Sequence, residues 1–463
     1  MKSKPISIFN EVLGPIMRGT SSSHTAAAYM IGLIARKLFN RPINKVLVSF
    51  STRGSLPTTF KSQGSEIGLT AGLFGLNLKS EEIKDIVQLA KDSGLVIEVI
   101  VNDDECNHPN IYNLTLYSRD LDSMRIIGIS TGGGMVKIIK VNDIDTDIEG
   151  DTFENISGIG SLSPILPIPF TNNSYVPFNN AWEFEQIISK RKFWEHAIEY
   201  EACRGNMEVE QVWNVAEEVL SVMRGSLNTG LAGTDYKDRI LGQQFHLIDQ
   251  ALEKKLLIDS PLINRIEKYV MAIMECKSSF GLIVAAPTAG SCAVIPASIL
   301  ACCDLFGFSK EQSIKALLSA GLIGAFIAKD STFSAEVAGC QAECGAASGM
   351  AAAAIVELMN GSIHQTLDAA SFALQNTFGM VCDPIANRVE APCLGKNIMC
   401  AMNAISSANM ALAGAEPLIP LSQVITAMDK VGKSIASELR CTGLGGLSIC
   451  KASLELQKSI SDV

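Results

Sequence analysis

Apolar residues recur along this chain with two different periods, and the change of period divides it. In the first part, Lys45–Ser51 (KVLVSFS), Leu95–Val101 (LVIEVIV), Ile111–Tyr117 and Met135–Val141 (MVKIIKV) are short and β-branched, as strands require. Thr25–Leu38 carries small and apolar residues at helical spacing. This alternation predicts an α/β domain over residues 1–154. From Asn155 to Trp182 no charged residue occurs, and Pro164, Pro167, Pro169 and Pro177 interrupt every period, which predicts a connecting segment over 155–182. Beyond Glu183 the period is helical: Glu183–Leu227, Ile263–Cys276, Ser309–Ala328, Ala346–Met359, Ser362–Phe378 and Asn397–Ala413 all read as helices. The stretch from Ala346 is apolar nearly all round, which places it at the centre of a bundle. The expected fold is α+β, an α/β domain followed by a larger all-α domain over 183–463.

Composition sharpens this picture. Apolar residues make up 47% of the 463 positions and charged residues 19%, so a membrane reading has to be tested. The uncharged run Ser278–Cys303 is long enough to span a bilayer, but Gly281, Pro287, Gly290 and Pro296 punctuate it. No secretory h-region is visible in Met1–Gly14. A cytoplasmic enzyme without a membrane partner is the expectation. A net charge of −10 argues against nucleic acid, whose phosphates need clustered Lys and Arg. Thirteen cysteines in such a chain point to buried thiols or to metal.

Two groups of residues could carry chemistry. Cys340 sits in AGCQAECG, and Cys382 and Cys393 bracket CDPIANRVEAPC. Each lies beside a Gly- or Pro-containing turn at the mouth of an Ala-rich helix, where free backbone N–H groups favour thiolates. Spacing alone leaves a metal cluster and buried structural thiols both open, because no CxxC pair occurs. The SSSHT stretch, Ser21 to Thr25, precedes a helix. It can form an anion site for a substrate carboxylate or serve as an ordinary N-cap.

These stretches, with Arg53-Gly54-Ser55, GGGMVKI (Gly132 to Ile138), VAAPTAGSC (Val284 to Cys292) and TGLGGL (Thr442 to Leu447), occur in an order and spacing that covers nearly the whole chain. In this the chain resembles the iron–sulfur-dependent L-serine dehydratases in their single-chain form. The resemblance implies a [4Fe–4S] cluster on Cys340, Cys382 and Cys393, with one iron left open as a Lewis acid. It also implies a small carboxylate-bearing substrate held by Ser21, Ser22, Ser23, Thr25, Gly64 and Ser65, with His24 among the catalytic groups. A homodimer formed through the Ala-rich faces is a further expectation. The last cysteine is Cys450, so self-capping by a C-terminal cysteine, as in some members, is not expected.

The chain also departs from the family's pattern. Thr20 replaces a proline before the serines. The segment written GHGTD in the family reads Ser62-Gln63-Gly64-Ser65-Glu66 here, and Gln63 cannot act as a base worth roughly 10²–10⁴ in rate. Asn387-Arg388 stands where Gly and an apolar residue are usual, and Arg388 could clamp an extra anionic group. Three explanations stay open: the base has moved to His24 or Lys61, the substrate differs and Gln63 reads one of its polar groups, or the site is catalytically weak. Three other readings are the same cluster acting on a different β-hydroxy or β-thiol amino acid or a hydroxy-acid, a non-enzymatic iron–sulfur sensor or structural subunit, and a membrane transporter.

Overall fold

In the computed structural model the described residues are 4–461 apart from 104–107, 121, 172–174, 189, 237 and 238. Part of the expected connecting segment and the ends of the chain therefore lie outside the description.

The N-terminal portion is built on a six-stranded sheet: β1 (Lys45–Ser51), β2 (Val96–Asn102), β3 (Ile111–Tyr117), β4 (Ser123–Gly132), β5 (Met135–Val141) and β6 (Ile144–Ile148). The spatial order is β2-β1-β3-β4-β5-β6, with β1 and β2 parallel and every other neighbour antiparallel. Val46, Val48 and Phe50 of β1 and Leu114 and Leu116 of β3 point into a buried core with α1 (Ala27–Phe39) and α2 (Ser65–Phe74). α3 (Ile86–Asp92) leads into β2. Two strands escape the sequence pattern. In β4, Gly128 and a register shift beside it blur the alternation, and β6 (IDTDI) is largely exposed.

Glycines bring α1 and α2 unusually close. A Cβ on Gly68 would lie 1.9 Å from the Thr25 carbonyl oxygen, and one on Gly72 would lie 2.2 Å from that of Tyr29. Backbone thus meets backbone, and the turn carrying His24 is pressed against the start of α2.

The helical portion contains α4 (Pro261–Ser278), α5 (Val294–Phe306), α6 (Lys310–Asp330), α7 (Ala335–Ala338), α8 (Ile-containing Ala346–Leu358), α9 (Ile363–Gln375) and α10 (Cys393–Leu412). α8 is the centre expected from its composition: nearly every side chain is buried, among α5, α6, α9 and α10. The expected helical tract 183–227 is broken into Ala181–Glu185, Phe193–Gly205 and Val209–Ala232, with left-handed Asn206 ending the second. Within the punctuated run, α5 begins just before Pro296, in the first turn, where proline is tolerated. Two segments, Ala289–Phe306 and Lys310–Asp330, are long and apolar enough to cross a membrane, but 83% and 78% of them is buried inside the protein, as in core helices.

The first residues of the chain pack away from the sheet. Ile8, Phe9, Val12, Leu13 and Met17 belong to the helical core, and Ile16–Arg18 pairs antiparallel with Leu282–Val284. A fully buried ion pair secures this crossing: Arg204 donates to Asp151 at 2.7 Å, while Lys4 donates to the same carboxylate at 2.8 Å. An Arg204→Met chain leaves the buried Asp151 short of its main partner. It is expected to lose about 3–5 kcal/mol of stability, read from the urea midpoint.

Candidate active site

Cys340 immediately precedes a single π-turn, Gln341–Gly345, that runs into α8, and Cys393 is the first residue of α10 after Pro392. Cys382 is pinned by a backbone bridge: its N–H donates to the Leu439 carbonyl at 2.8 Å and its carbonyl accepts from Cys441 N–H at 2.9 Å. The thiols of Cys340 and Cys382 and a carboxylate oxygen of Glu343 lie within 4.8 Å of one another. Cys441 is buried in the same small cluster. Cys393 is buried nearby, close enough for Cys340 and Glu343 to perturb it electrostatically. No described cysteine forms a disulfide.

The electrostatics are those of a site built for soft cations. Hydrogen bonds with Cys340 and Cys441, and burial, hold the Cys382 thiol well above its ordinary range. Burial likewise raises Cys393, with Lys277 opposing. Burial pushes Glu343 up to about 7 against a hydrogen bond from Thr288. Converging buried thiols of this kind lose their protons when a metal is bound, and the sulfur-rich donor set suits iron–sulfur or zinc. Two lysines supply compensating charge. Lys396 Nζ sits 3.7 Å from Cys340 Sγ and donates to Asp383 at 2.8 Å and to the Val381 carbonyl at 2.7 Å. Lys277 is fully buried and donates to the Val389 carbonyl within the loop between Cys382 and Cys393.

The SSSHT turn is linked to this group through Glu336, which acts electrostatically on Glu343 and Cys441. Ser22–Ala26 forms a π-turn that continues into α1, and His24 is wholly buried. The proton positions follow from its neighbours. Thr59 Oγ1 donates to the Ser55 carbonyl at 2.8 Å, so it must accept from His24 Nε2–H at 2.9 Å. Ser23 Oγ donates to Glu336 at 2.8 Å, which leaves Ser21 Oγ to donate to His24 Nδ1 at 3.1 Å. His24 is then neutral with its lone pair on Nδ1. Burial lowers its pKa below the ordinary histidine value, and the Glu336 carboxylate, 3.7 Å away, partly opposes this. Burial would raise Glu336, but the charge that His24 carries when protonated, a backbone hydrogen bond and the Ser334 and Ser23 hydroxyls act the other way, and the balance lies below the ordinary carboxylate value.

The other expected residues separate into those inside this group and those outside it. Ser22 Oγ accepts from Ala289 N–H at 3.1 Å and Thr25 Oγ1 donates to the Gln63 carbonyl at 3.1 Å, so every hydroxyl of the SSSHT turn has a protein partner. Gly64, at φ +82°, opens α2, and a Cβ there would lie 2.5 Å from Thr25 Oγ1. Ser65 accepts from Tyr112 OH at 3.0 Å. Gln63 is fully buried. Its Nε2 lies 3.9 Å from Cys441 Sγ, and its Oε1 has no hydrogen-bond partner among the described residues. Lys61 is exposed to solvent, outside the buried group. Arg388 is half-buried and acts electrostatically on Glu390. Beside it Asn387 Nδ2 donates to the Thr58 carbonyl at 2.8 Å, tying the cysteine loop to the Gln63 segment.

Glu336, Glu343, Lys277, Lys396 and Cys441 were not singled out by the sequence. The legible signal was a pair of acidic residues in the small-residue stretch SAEVAGCQAE, where an unpartnered carboxylate would be costly to bury.

The sequence profile of the family described as "Serine dehydratase alpha chain" matches residues 189–448. The chain is 38% identical over 251 residues to the probable L-serine dehydratase alpha chain of Bacillus subtilis (strain 168), covering 54% of this chain and 84% of that one. It is 36% identical over 284 residues to the L-serine dehydratase alpha chain of Peptoniphilus asaccharolyticus, covering 60% and 97%. L-serine dehydratase 2 of Escherichia coli (strain K12) aligns over 469 positions at 28% identity, covering 93% of this chain and 96% of its own. The matched α-chain segment contains the three cysteines, and the alignment over 93% of the chain extends across the sheet as well: this chain belongs to the serine dehydratase family, in its single-chain form.

Proposed function

We propose that this protein is a cytoplasmic, [4Fe–4S]-dependent lyase that converts L-serine to pyruvate and ammonia. The observation that supports the reading is the group of buried thiols of Cys340 and Cys382 with Glu343, to which His24 is linked through Glu336. In this reading residues 1–154 form the substrate-binding domain, 183–463 the cluster domain, and 155–182 their connection. Two hydrophobic cores, one on the sheet and one among the helices, support a two-part division, with Ile8, Phe9, Val12, Leu13 and Met17 of the first part joining the helical core.

When bound on three thiolates, the cluster would supply an open iron, a Lewis acid that makes the substrate's hydroxyl a tolerable leaving group. The backbone N–H groups at the start of the Ser22–Phe39 helical run are suited to the carboxylate. Gln63 Oε1 is a buried acceptor suited to the ammonium. His24 Nδ1, once Ser21 turns its hydroxyl aside, takes the proton from the α-carbon. The imidazolium that forms has the Glu336 carboxylate 3.7 Å from the same Nδ1, an opposite charge that stabilises it. Loss of hydroxide leaves aminoacrylate, which rearranges to an imine and hydrolyses to pyruvate and ammonia. Lys61, exposed, has no part in this scheme.

The test is protein purified without oxygen, assayed for iron and sulfide, then given L-serine beside a Gln63→His variant. The native chain is expected to carry the cluster and form pyruvate, with the variant gaining less than about tenfold. Pyruvate from the variant alone would remove His24 as the base and make the native substrate a different one. Protein without iron and sulfide would overturn the proposal.

A further inference from the structure

α8, the Ala-rich helix at the centre of the bundle, is buried on nearly all sides and leaves no face for a dimer contact. Exposed apolar surface gathers elsewhere, on β2 and the helix before it. β2 is an edge of the six-stranded sheet, with no neighbour beyond it among the described residues. Its sequence, VIEVIVN, has high strand propensity and one charge. The register with β1 sets Ile97, Val99 and Val101 beside Val46, Val48 and Phe50, so they lie on the face of the sheet that elsewhere forms the core. Yet Val99 and Val101 are 42% and 50% exposed, and on the opposite face Val96 and Ile100 are 49% and 45% exposed. Val87 and Leu89 of α3 are exposed as well. A long, apolar, uncovered edge is the surface most prone to add a strand.

The hydrogen bonds to β1 decide which backbone groups remain available. Val96 N–H donates to the Asn44 carbonyl at 2.9 Å, and the Asn102 carbonyl accepts from Thr52 N–H at 2.8 Å. Residues 96, 98, 100 and 102 therefore face β1, and the N–H and C=O groups of Ile97, Val99 and Val101 face outward.

We infer that β2 pairs antiparallel with β2 of a second copy of this chain, about a two-fold axis at Val99, so that one sheet runs through both copies. The sequence suits this register. Val99 meets Val99 of the second copy, and Ile97 meets Val101 in both directions, so every outward-facing residue of the strand finds an outward-facing partner. The pairs fall on one face, where they extend the core layer that each copy leaves uncovered. Glu98, held by Lys45 at 2.8 Å, comes opposite Ile100. An axis at Glu98 would instead set two glutamates face to face, and one at Ile100 would send Ile97 against Asp103. The contact is isologous, as a two-fold dimer requires, and closes without leaving a growing edge.

The experiment uses the full-length protein at micromolar concentration, with mass from light scattering and amide exchange by mass spectrometry. The native chain is expected to be a dimer whose Ile97, Val99 and Val101 amides exchange at least tenfold more slowly than amides lacking a partner. Val99→Lys places two ammonium groups at the axis, and Val99→Pro removes an N–H that serves no bond within the chain. Both are expected to be monomers with native circular dichroism, and in Val99→Lys the amides of Ile97 and Val101 are expected to exchange quickly. A monomeric native protein would overturn the inference, as would fast exchange at these three amides or a dimer that survives both substitutions. Should either variant fail to fold, the exchange of the native amides decides alone.

Discussion

A Cys382→Ser chain purified without oxygen is expected to hold little of the native iron and sulfide and to lose at least ~10³-fold of its pyruvate formation, the counterpart of several kcal/mol of Lewis-acid stabilisation. The effect should be this large because Cys382 is the most constrained of the thiols. Its N–H and carbonyl are both fixed to the 439–441 segment by a backbone bridge, which holds the thiol in one place. Serine keeps the size but gives a hard oxygen donor where sulfur is needed. Folding should survive, since the isolated thiol is buried with its proton on and a hydroxyl can take over its hydrogen bonds. Iron and sulfide assays, visible absorption and the melting temperature, taken on the same preparation, separate loss of the cluster from loss of the fold.

His24→Gln should behave differently: full iron content, little change in KM, and a fall in kcat of roughly 10²–10⁴. Glutamine can still donate to Thr59, so the turn keeps its shape, but nothing remains to take a proton. The pH profile gives a second readout. Burial lowers the pKa of His24 below its ordinary 6.5, so the neutral base is fully present at pH 7 and above, and activity should fall only as the pH drops below the usual histidine range. The contribution to stability has the same sign. An unfolded chain takes up a proton on this residue first, so the stability is present above 6.5 and is lost as the pH falls through that range. The acid limb of kcat should disappear in His24→Gln, whatever residual rate it retains.

Much of this architecture was readable because single physical preferences dominated locally. KVLVSFS, IYNLTLY and MVKIIKV are β1, β3 and β5 to the residue, since β-branched alternation against a one-sided core leaves little choice. The Ala346 stretch could only be central, having no polar face to give to water. What escaped was decided by tertiary context. β4 carries Gly128, which fits because Ile31 and Ile138 crowd that position, and periodicity cannot register such a neighbour. The cysteines and His24 could be placed through resemblance, but Glu336 and the buried lysines become meaningful only beside thiols and an imidazole far away in sequence. Lys61 looked eligible as a base on sequence proximity alone, and the turn of the chain leaves it in solvent while its neighbour Gln63 is buried.

The first turn of the chain lies against α6: a Cβ added to Gly321 or Gly324 would collide with Ile8 or Val12. On the ribosome this has a cost in time. Ile8 emerges some 300 residues before its glycine partner, and at 5–20 residues per second it waits roughly 15–60 s for a binding surface that does not yet exist. The sheet can complete itself long before then. The opening segment must therefore stay unburied throughout the synthesis of most of the enzyme, so a chain stalled near residue 300 would present a folded sheet trailing a sticky, unmatched leader, a natural target for chaperones and for quality-control proteases.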